Sequence, residues 1–271
     1  RFLFIIMPKK HKVHKTSKQV IHNSAPTAKV EKKIDRVSTG IPGLDRLIGG
    51  GLVKGSTILV SGGPGVGKSI FCYQYINHGL ENGESCLFVS FESSPDKIRN
   101  EAGDFGWDFA KHEKTGKLAI MHIDPTQLAE IDLSKYRDVT ATIIHDIKTH
   151  ALKMKVTRIV VDPISVFNMF LEGKAQIRRR IYEMIKNLSE TKATLLMSDE
   201  RPEGEQVGHG AESFVADGLL HLYYTGIGGE EGRHLEIRKL RRTKHQIGYF
   251  PFDISGNGLS VKKEGISVLM K

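Results

Sequence analysis

Residues Gly62-Gly63-Pro64-Gly65-Val66-Gly67-Lys68-Ser69 match the pattern GxxxxGK[ST] in full. The residue types suit one task, which is holding a phosphate chain. Glycine lets the backbone turn tightly, so that successive N–H groups aim inward at an anion. The positive end of a helix opening at Ile70 adds to that field. Lys68 is suited to the β- and γ-phosphates and the Ser69 hydroxyl to Mg²⁺. The octapeptide and Ile70 are therefore the candidate contacts to a nucleoside triphosphate, with ATP and Mg²⁺ as the expected cofactors.

Three further positions offer chemistry to such a site. Asp162 ends the apolar run Arg158-Ile159-Val160-Val161, where phosphate-loop enzymes place a second Mg²⁺ contact. Glu92 follows Cys86-Leu87-Phe88-Val89-Ser90-Phe91 and is placed to orient or deprotonate an attacking water. Its alternative is a solvated carboxylate at a strand end. In Arg233–His245, strand periodicity puts Leu235, Ile237, Lys239 and Arg241 on one face. A face that starts apolar and ends in two cations suits a neighbouring subunit's nucleotide, because Lys68 already serves the chain's own phosphates. The competing reading is an edge strand kept basic against aggregation. The histidines show no metal-ligand spacing with cysteine or carboxylate.

The elements that must position these groups alternate along the chain. Strands are predicted at 57–61, 85–90, 118–122, 158–161, 194–197, 219–224 and 233–241. Helices are predicted at 70–82, 95–105, 139–150 and 176–191, with Ser94 and Pro95 as a capped start. The order predicts an α/β fold, a mostly parallel central sheet flanked by helices. Gly226-Ile227-Gly228-Gly229 between two strands predicts antiparallel hairpins at the C-terminal end.

The net charge of +9 is unevenly spread over the 271 residues. Residues 1–36 hold ten lysines and arginines against Glu31 and Asp35, a balance of +8 that leaves +1 for the rest. Residues 1–33 are expected to be a disordered basic extension, either solubilising or in contact with nucleic acid or an acidic partner. Residues 34–271 are the expected folded domain. The run beginning Met7-Pro8-Lys9-Lys10 reads as a translation start, so residues 1–6 are expected not to be native. The apolar stretch 2–7 is too short to span a bilayer. Cys72 and Cys86 have no metal or redox spacing, which suits reduced core thiols in a cytoplasmic protein.

Several collinear stretches together resemble the KaiC family of RecA-like ATPases. They are Ser38-Thr39-Gly40-Ile41-Pro42-Gly43-Leu44-Asp45 with Gly49-Gly50-Gly51-Leu52, the phosphate loop, and Phe88-Val89-Ser90-Phe91-Glu92. Further on come Asp104-Phe105-Gly106-Trp107-Asp108, Glu236-Ile237-Arg238-Lys239-Leu240-Arg241 with His245, and Tyr249-Phe250-Pro251-Phe252. The resemblance is to single-domain archaeal members. It implies a homohexameric ring with ATP between subunits. In it Lys68, Ser69 and Asp162 match the phosphate and Mg²⁺ positions, and Glu92 matches the catalytic glutamate. Lys239, Arg241 and His245 match residues that reach the neighbour's ATP. The family usually carries two adjacent glutamates where this chain has Glu92-Ser93, which leaves the hydrolysis rate open. No equivalent of the family's phosphorylated Ser/Thr pair is evident.

The leading function is a slowly ATP-hydrolysing ring acting as a switch or regulator. One alternative is a recombinase-like DNA-binding ATPase. Against it, residues 199–213 hold Asp199, Glu200, Glu203, Glu205 and Glu212 against Arg201, which repels a phosphate backbone. Lys174 and Arg178-Arg179-Arg180 favour it only if they are more than a solvated helical face. The other alternative is a non-enzymatic scaffold that binds ATP structurally.

Overall fold

The computed structural model describes residues 34–124, 139–169, 171, 173–200, 215–225 and 232–262. The basic extension, most of the acidic loop after Glu200, and the 226–229 turn fall outside the described residues.

Among the described residues, nine strands form one sheet in the order β11-β10-β9-β8-β3-β7-β6-β4-β5. Its parallel part is β8 (Gly218–Thr225), β3 (Thr57–Gly62), β7 (Thr194–Glu200), β6 (Arg158–Asp162), β4 (Cys86–Ser90) and β5 (Leu118–His122). The antiparallel part is β9 (Gly232–Leu240), β10 (Tyr249–Ser255) and β11 (Gly258–Val261). A small separate pair, β1 (Arg36–Val37) and β2 (Leu52–Val53), precedes them. The expected architecture is the observed one.

The apolar runs carry little polar alternation because the sheet is covered on both faces. On one face Val60, Phe88, Val160 and Leu196 pack with Phe71, Tyr75 and Ile76 of helix α2 (Lys68–Glu81). On the other, Leu59, Val89, Val161 and Met197 pack with Ile143 and Ile147 of α5 (Val139–Met154) and Met184 and Leu188 of α6 (Lys174–Ser189). Arg158 is 1% exposed, and its charge is met by Glu84 at 2.7 Å, the carbonyls of Ser38 and Tyr75, and the Tyr75 ring. A buried guanidinium is tolerated only when its donors are all engaged in this way.

The Ser38–Asp45 motif folds around one carboxylate. Asp45, in the first turn of the short helix α1 (Leu44–Leu47), accepts bonds from the Thr39 N–H, the Thr39 hydroxyl and the Ser38 hydroxyl. Gly43 (φ 85°) approaches the Val261 carbonyl so closely that a Cβ would sit 1.9 Å from it. The motif thus clamps the start of the domain to its last described strand.

Several boundaries depart from sequence expectation. Helix α2 starts at Lys68, two residues early, so Lys68 and Ser69 sit in its first turn. Helix α3 (Pro95–Gly103) starts as expected, with the Ser94 hydroxyl accepting from the Lys97 N–H, but stops before Phe105. There Gly106 (φ 77°) reverses the chain into α4 (Phe109–Lys114) and Trp107 is buried against the Phe105 ring. Helix α5 gains a further turn, because Ala151 continues its buried face. Helix α6 begins at Lys174 behind Gly173 and ends at Ser189, where the Thr191 hydroxyl takes the Leu188 carbonyl. Strand β7 runs on to Glu200, so Asp199 and Glu200 belong to the sheet and not to the acidic loop.

The largest correction concerns β9. The expected single face of Leu235, Ile237, Lys239 and Arg241 does not exist. Leu219 pairs with Lys239 and Leu220 with Ile237, so Arg238 is an extra residue in a bulge. Side chains beyond a bulge swap faces. Leu235, Ile237 and Leu240 share one core, while Lys239 turns toward the opposite face, and Arg241 lies in the turn after the strand.

Candidate functional site

The site begins at Gly67, whose backbone (φ 112°) breaks strand from helix and allows the close approach of Ile254. From there the first turn of α2 projects Lys68 and Ser69 over the carboxyl ends of the parallel strands, where open α/β sheets bind ligands. The Lys68 ammonium donates to the carbonyls of Gly62 at 3.0 Å and Gly63 at 2.7 Å. Burial pulls the Lys68 pKa down, and the charges of Glu200, Asp162 and Asp199 oppose that fall. The lysine is thus partly desolvated, which strengthens a bond to phosphate, while the nearby carboxylates favour its charged form.

Asp162 is the last residue of β6, as expected. Its carboxylate accepts hydrogen bonds from the hydroxyls of Ser198 on β7 and Ser69 on α2. Burial raises the Asp162 pKa, while those two bonds and Lys68 act against the rise. The adjacent Ser69 hydroxyl and Asp162 carboxylate fit a hard cation that takes oxygen ligands and keeps several waters.

Glu92 stands two residues past the end of β4, in the same cavity as Lys68 and Ser69. Burial first, then the charges of Glu200 and Asp162, push its pKa up, and Lys68 and Lys97 pull it down. A carboxylate with a raised pKa and a lysine beside it is the pattern expected of a group that handles protons. Ser93 lines the same cavity, and its backbone N–H donates to the Ser90 hydroxyl at 2.9 Å. The cavity measures about 380 Å³, ordinary for a small-molecule site. Its wall includes Tyr73, Lys97, Glu101, Asp104 and Phe105, with the Tyr73 hydroxyl donating to Glu101 at 2.8 Å.

Sequence reasoning missed Ser198 and Glu200. Glu200 pairs in register with Gly62, directly beside the phosphate loop, and its charge acts on both Lys68 and Glu92. The signal was present: Thr194-Leu195-Leu196-Met197 is an apolar run that ends in polar groups, the same pattern that singled out Asp162.

Lys239, Arg241 and His245 are not brought to this cavity. Strand β9 runs antiparallel to β8, so its last residues lie at the amino end of β3. The Arg241 N–H donates to the Asp217 carbonyl, and the Asp217 N–H donates to the Thr57 carbonyl. Gly62 begins the phosphate loop at the other end of β3, about 17 Å away at 3.3–3.4 Å per strand residue. Lys239 and Arg241 do stay together: Lys239 donates to the Ala216 carbonyl at 2.6 Å, Arg241 pairs with Asp217 at 3.3 Å, and the charge of Arg241 adds to burial in lowering the Lys239 pKa. His245 lies just beyond, its Nδ1 3.1 Å from the Gln246 carbonyl.

Comparison with known proteins agrees with this geometry. A family model described as "ATPase: KaiC" matches residues 37–266. A UPF0273 protein of Aeropyrum pernix is 33% identical over 234 residues, covering 84% of this chain and 94% of that protein. The circadian clock protein KaiC3 of Synechocystis sp. is 34% identical over 238 residues, 87% of this chain but 46% of that longer protein. The crystal structure of a KaiC-like protein from the hyperthermophilic archaeon Pyrococcus horikoshii OT3 superimposes with a TM-score of 0.74 at 34% identity, covering 85% of this chain and all of that one. Among the described residues no helix is long and apolar enough to cross a membrane.

Proposed function

The chain belongs to the KaiC family of ATPases, and on that premise we propose that it binds Mg-ATP, hydrolyses it slowly, and works as a ring-forming switch whose sites are completed between copies. Residues 34–271 are the ATPase domain in this reading. The observation that carries it is the separation of two half-sites. Lys68, Ser69, Asp162 and Glu92 stand at one edge of the sheet, and Lys239 and Arg241 at the other.

Each residue of the loop edge has a task. Backbone N–H groups from Gly63 to Ser69 cradle the phosphates, with Pro64 and Val66 shaping the loop and Ile70 continuing the helix whose N-terminal field faces the anion. Lys68 leaves its two carbonyl partners for the β- and γ-phosphates. Ser69 and Asp162 hold Mg²⁺, which offsets phosphate charge when bound. Glu92 takes a proton from the attacking water, aided by its raised pKa.

Lys239 and Arg241 of one copy serve the nucleotide of the next, where they offset charge in the transition state. His245 is given the same task by the family resemblance alone. Contacts of this kind tie assembly to bound ATP, and the six-fold count follows the family resemblance. The scaffold reading keeps one observation in its favour, the single Glu92 followed by Ser93 where the family usually has a second glutamate. Steady-state phosphate release on wild-type protein and Glu92→Gln decides between them: turnover that depends on Glu92 supports the ATPase, and none above background supports the scaffold.

A further inference from the structure

One face of the sheet changes character near its carboxyl edge. Leu59, Met197 and Leu219, on β3, β7 and β8, belong to the core there. Two residues further along each strand, the same face carries Ser61, Asp199 and His221, in register across the three strands. These residues are 0%, 6% and 7% exposed. Polar groups buried where apolar ones would pack cost desolvation, so the row needs a reason beyond the core. The Ser61 hydroxyl and His221 Nδ1 share a hydrogen bond of 2.6 Å. The imidazole is itself supported by Tyr223, edge to face, with ring centroids 4.2 Å apart. The Tyr223 hydroxyl in turn donates to Glu236 at 2.6 Å and accepts from Arg238 at 3.2 Å.

We infer that His221 is a positioning residue for the phosphate loop, which it holds at the root through Ser61. The inference rests on the reading that this loop takes a triphosphate, and names what keeps the loop in place. Ser61 is the last residue with a side chain before Gly62 and Gly63. Gly62 has no room for a side chain, because a Cβ there would lie 2.5 Å from the Leu222 carbonyl oxygen. His221 and Leu222 thus grip the junction from opposite faces of the sheet, one by a hydrogen bond and one by contact. The carbonyls of Gly62 and Gly63 are also the two that hold Lys68. Once Lys68 turns to the phosphates the loop loses those bonds, and the bond from Ser61 to His221 remains to fix where its N–H groups point. Burial keeps water from replacing either partner. Loop N–H groups hold the phosphates before and during the reaction alike, so the bond acts on affinity and not on turnover.

Four variants of the full-length chain test this: His221→Leu, His221→Asn, Ser61→Ala, and Ser61→Ala with His221→Leu. Mg-ATP affinity is read by calorimetry, turnover by phosphate release, and stability by thermal unfolding without nucleotide. His221→Leu and Ser61→Ala should each weaken Mg-ATP binding about 10-fold, with kcat within about two-fold of wild type. His221→Asn keeps a polar atom near the position of Nδ1 and should recover most of that loss. The double variant should be more stable than His221→Leu, because no Ser61 hydroxyl is left buried and unpaired. Its affinity should stay as low as that of either single variant, since both remove the same bond. Wild-type affinity in Ser61→Ala and His221→Leu overturns the inference. So does a double variant that regains affinity together with stability, or an Asn variant as weak as the Leu one. Should His221→Leu fail to fold, Ser61→Ala decides, because it removes the hydroxyl alone. The underlying reading fails separately. If Lys68→Ala binds Mg-ATP like wild type, the loop is not the phosphate site; if Lys68→Ala is defective while Ser61→Ala and His221→Leu are normal, only the role of His221 falls.

Discussion

The two ends of strand β3 make opposite use of charge. At its carboxyl end, Lys68 sits among Asp162, Asp199, Glu200 and Glu92, a half-desolvated cation that the neighbouring carboxylates keep in balance. At its amino end, Lys239 and Arg241 crowd each other with Asp217 as the counter-charge. The first end is the one proposed to hold a triphosphate. The second has cations with no phosphate within reach in the same chain. Under the proposed function the molecule is half of a site twice over, and two copies are the smallest unit in which both halves have work.

The comparison can be broken most forcefully at the loop. Lys68→Ala removes the main cation facing the β- and γ-phosphates and should weaken Mg-ATP binding by about 10²-fold or more. Calorimetry reads this directly, and wild-type affinity in that variant removes the nucleotide assignment. Glu92→Gln should spare affinity and lower turnover about 10²-fold, the scale for losing a general base. The same residue sets a pH dependence. A base must be deprotonated, so kcat/KM should climb with pH through the raised pKa of Glu92, above the usual glutamate range, and the Gln variant should lack that limb.

At the opposite end, Lys239→Ala with Arg241→Ala should lower turnover about 10-fold or more and weaken ATP-dependent assembly, while circular dichroism stays native. Unchanged turnover there would leave the amino edge as a basic surface only. The smallest effect belongs to Glu200→Gln. Removing that charge should move the rising limb of the pH profile to lower pH, because Glu200 helps hold the Glu92 pKa up. A limb that stays in place separates Glu200 from the proton chemistry.

What could be read in the sequence divides along the same line. The phosphate loop was legible because its chemistry needs consecutive residues, and Asp162 because a buried apolar run ends in a carboxylate. The order of helices and strands, and so the parallel sheet, followed from alternating periodicities. Glu200 reads as part of the acidic loop because the apolar run ends at Met197, whereas the strand continues through polar residues at its carboxyl edge. The bulge at Arg238 left no mark in the alternation of Leu235, Ile237 and Lys239. It depends on pairing with Leu219 and Leu220 of β8, well back along the chain.

If one catalytic site needs two copies, two variants that each lack one half should rescue each other when mixed. Lys68→Ala protein keeps intact cations at the amino edge, and Lys239→Ala, Arg241→Ala protein keeps an intact loop. Each should be nearly inactive in phosphate release. Combined one to one at random in head-to-tail rings, about a quarter of interfaces unite an intact loop with intact cations, so activity should rise toward that fraction of wild type. A mixture no more active than the average of its two parts, or wild-type protein that hydrolyses ATP at full rate as a strict monomer, would contradict the claim.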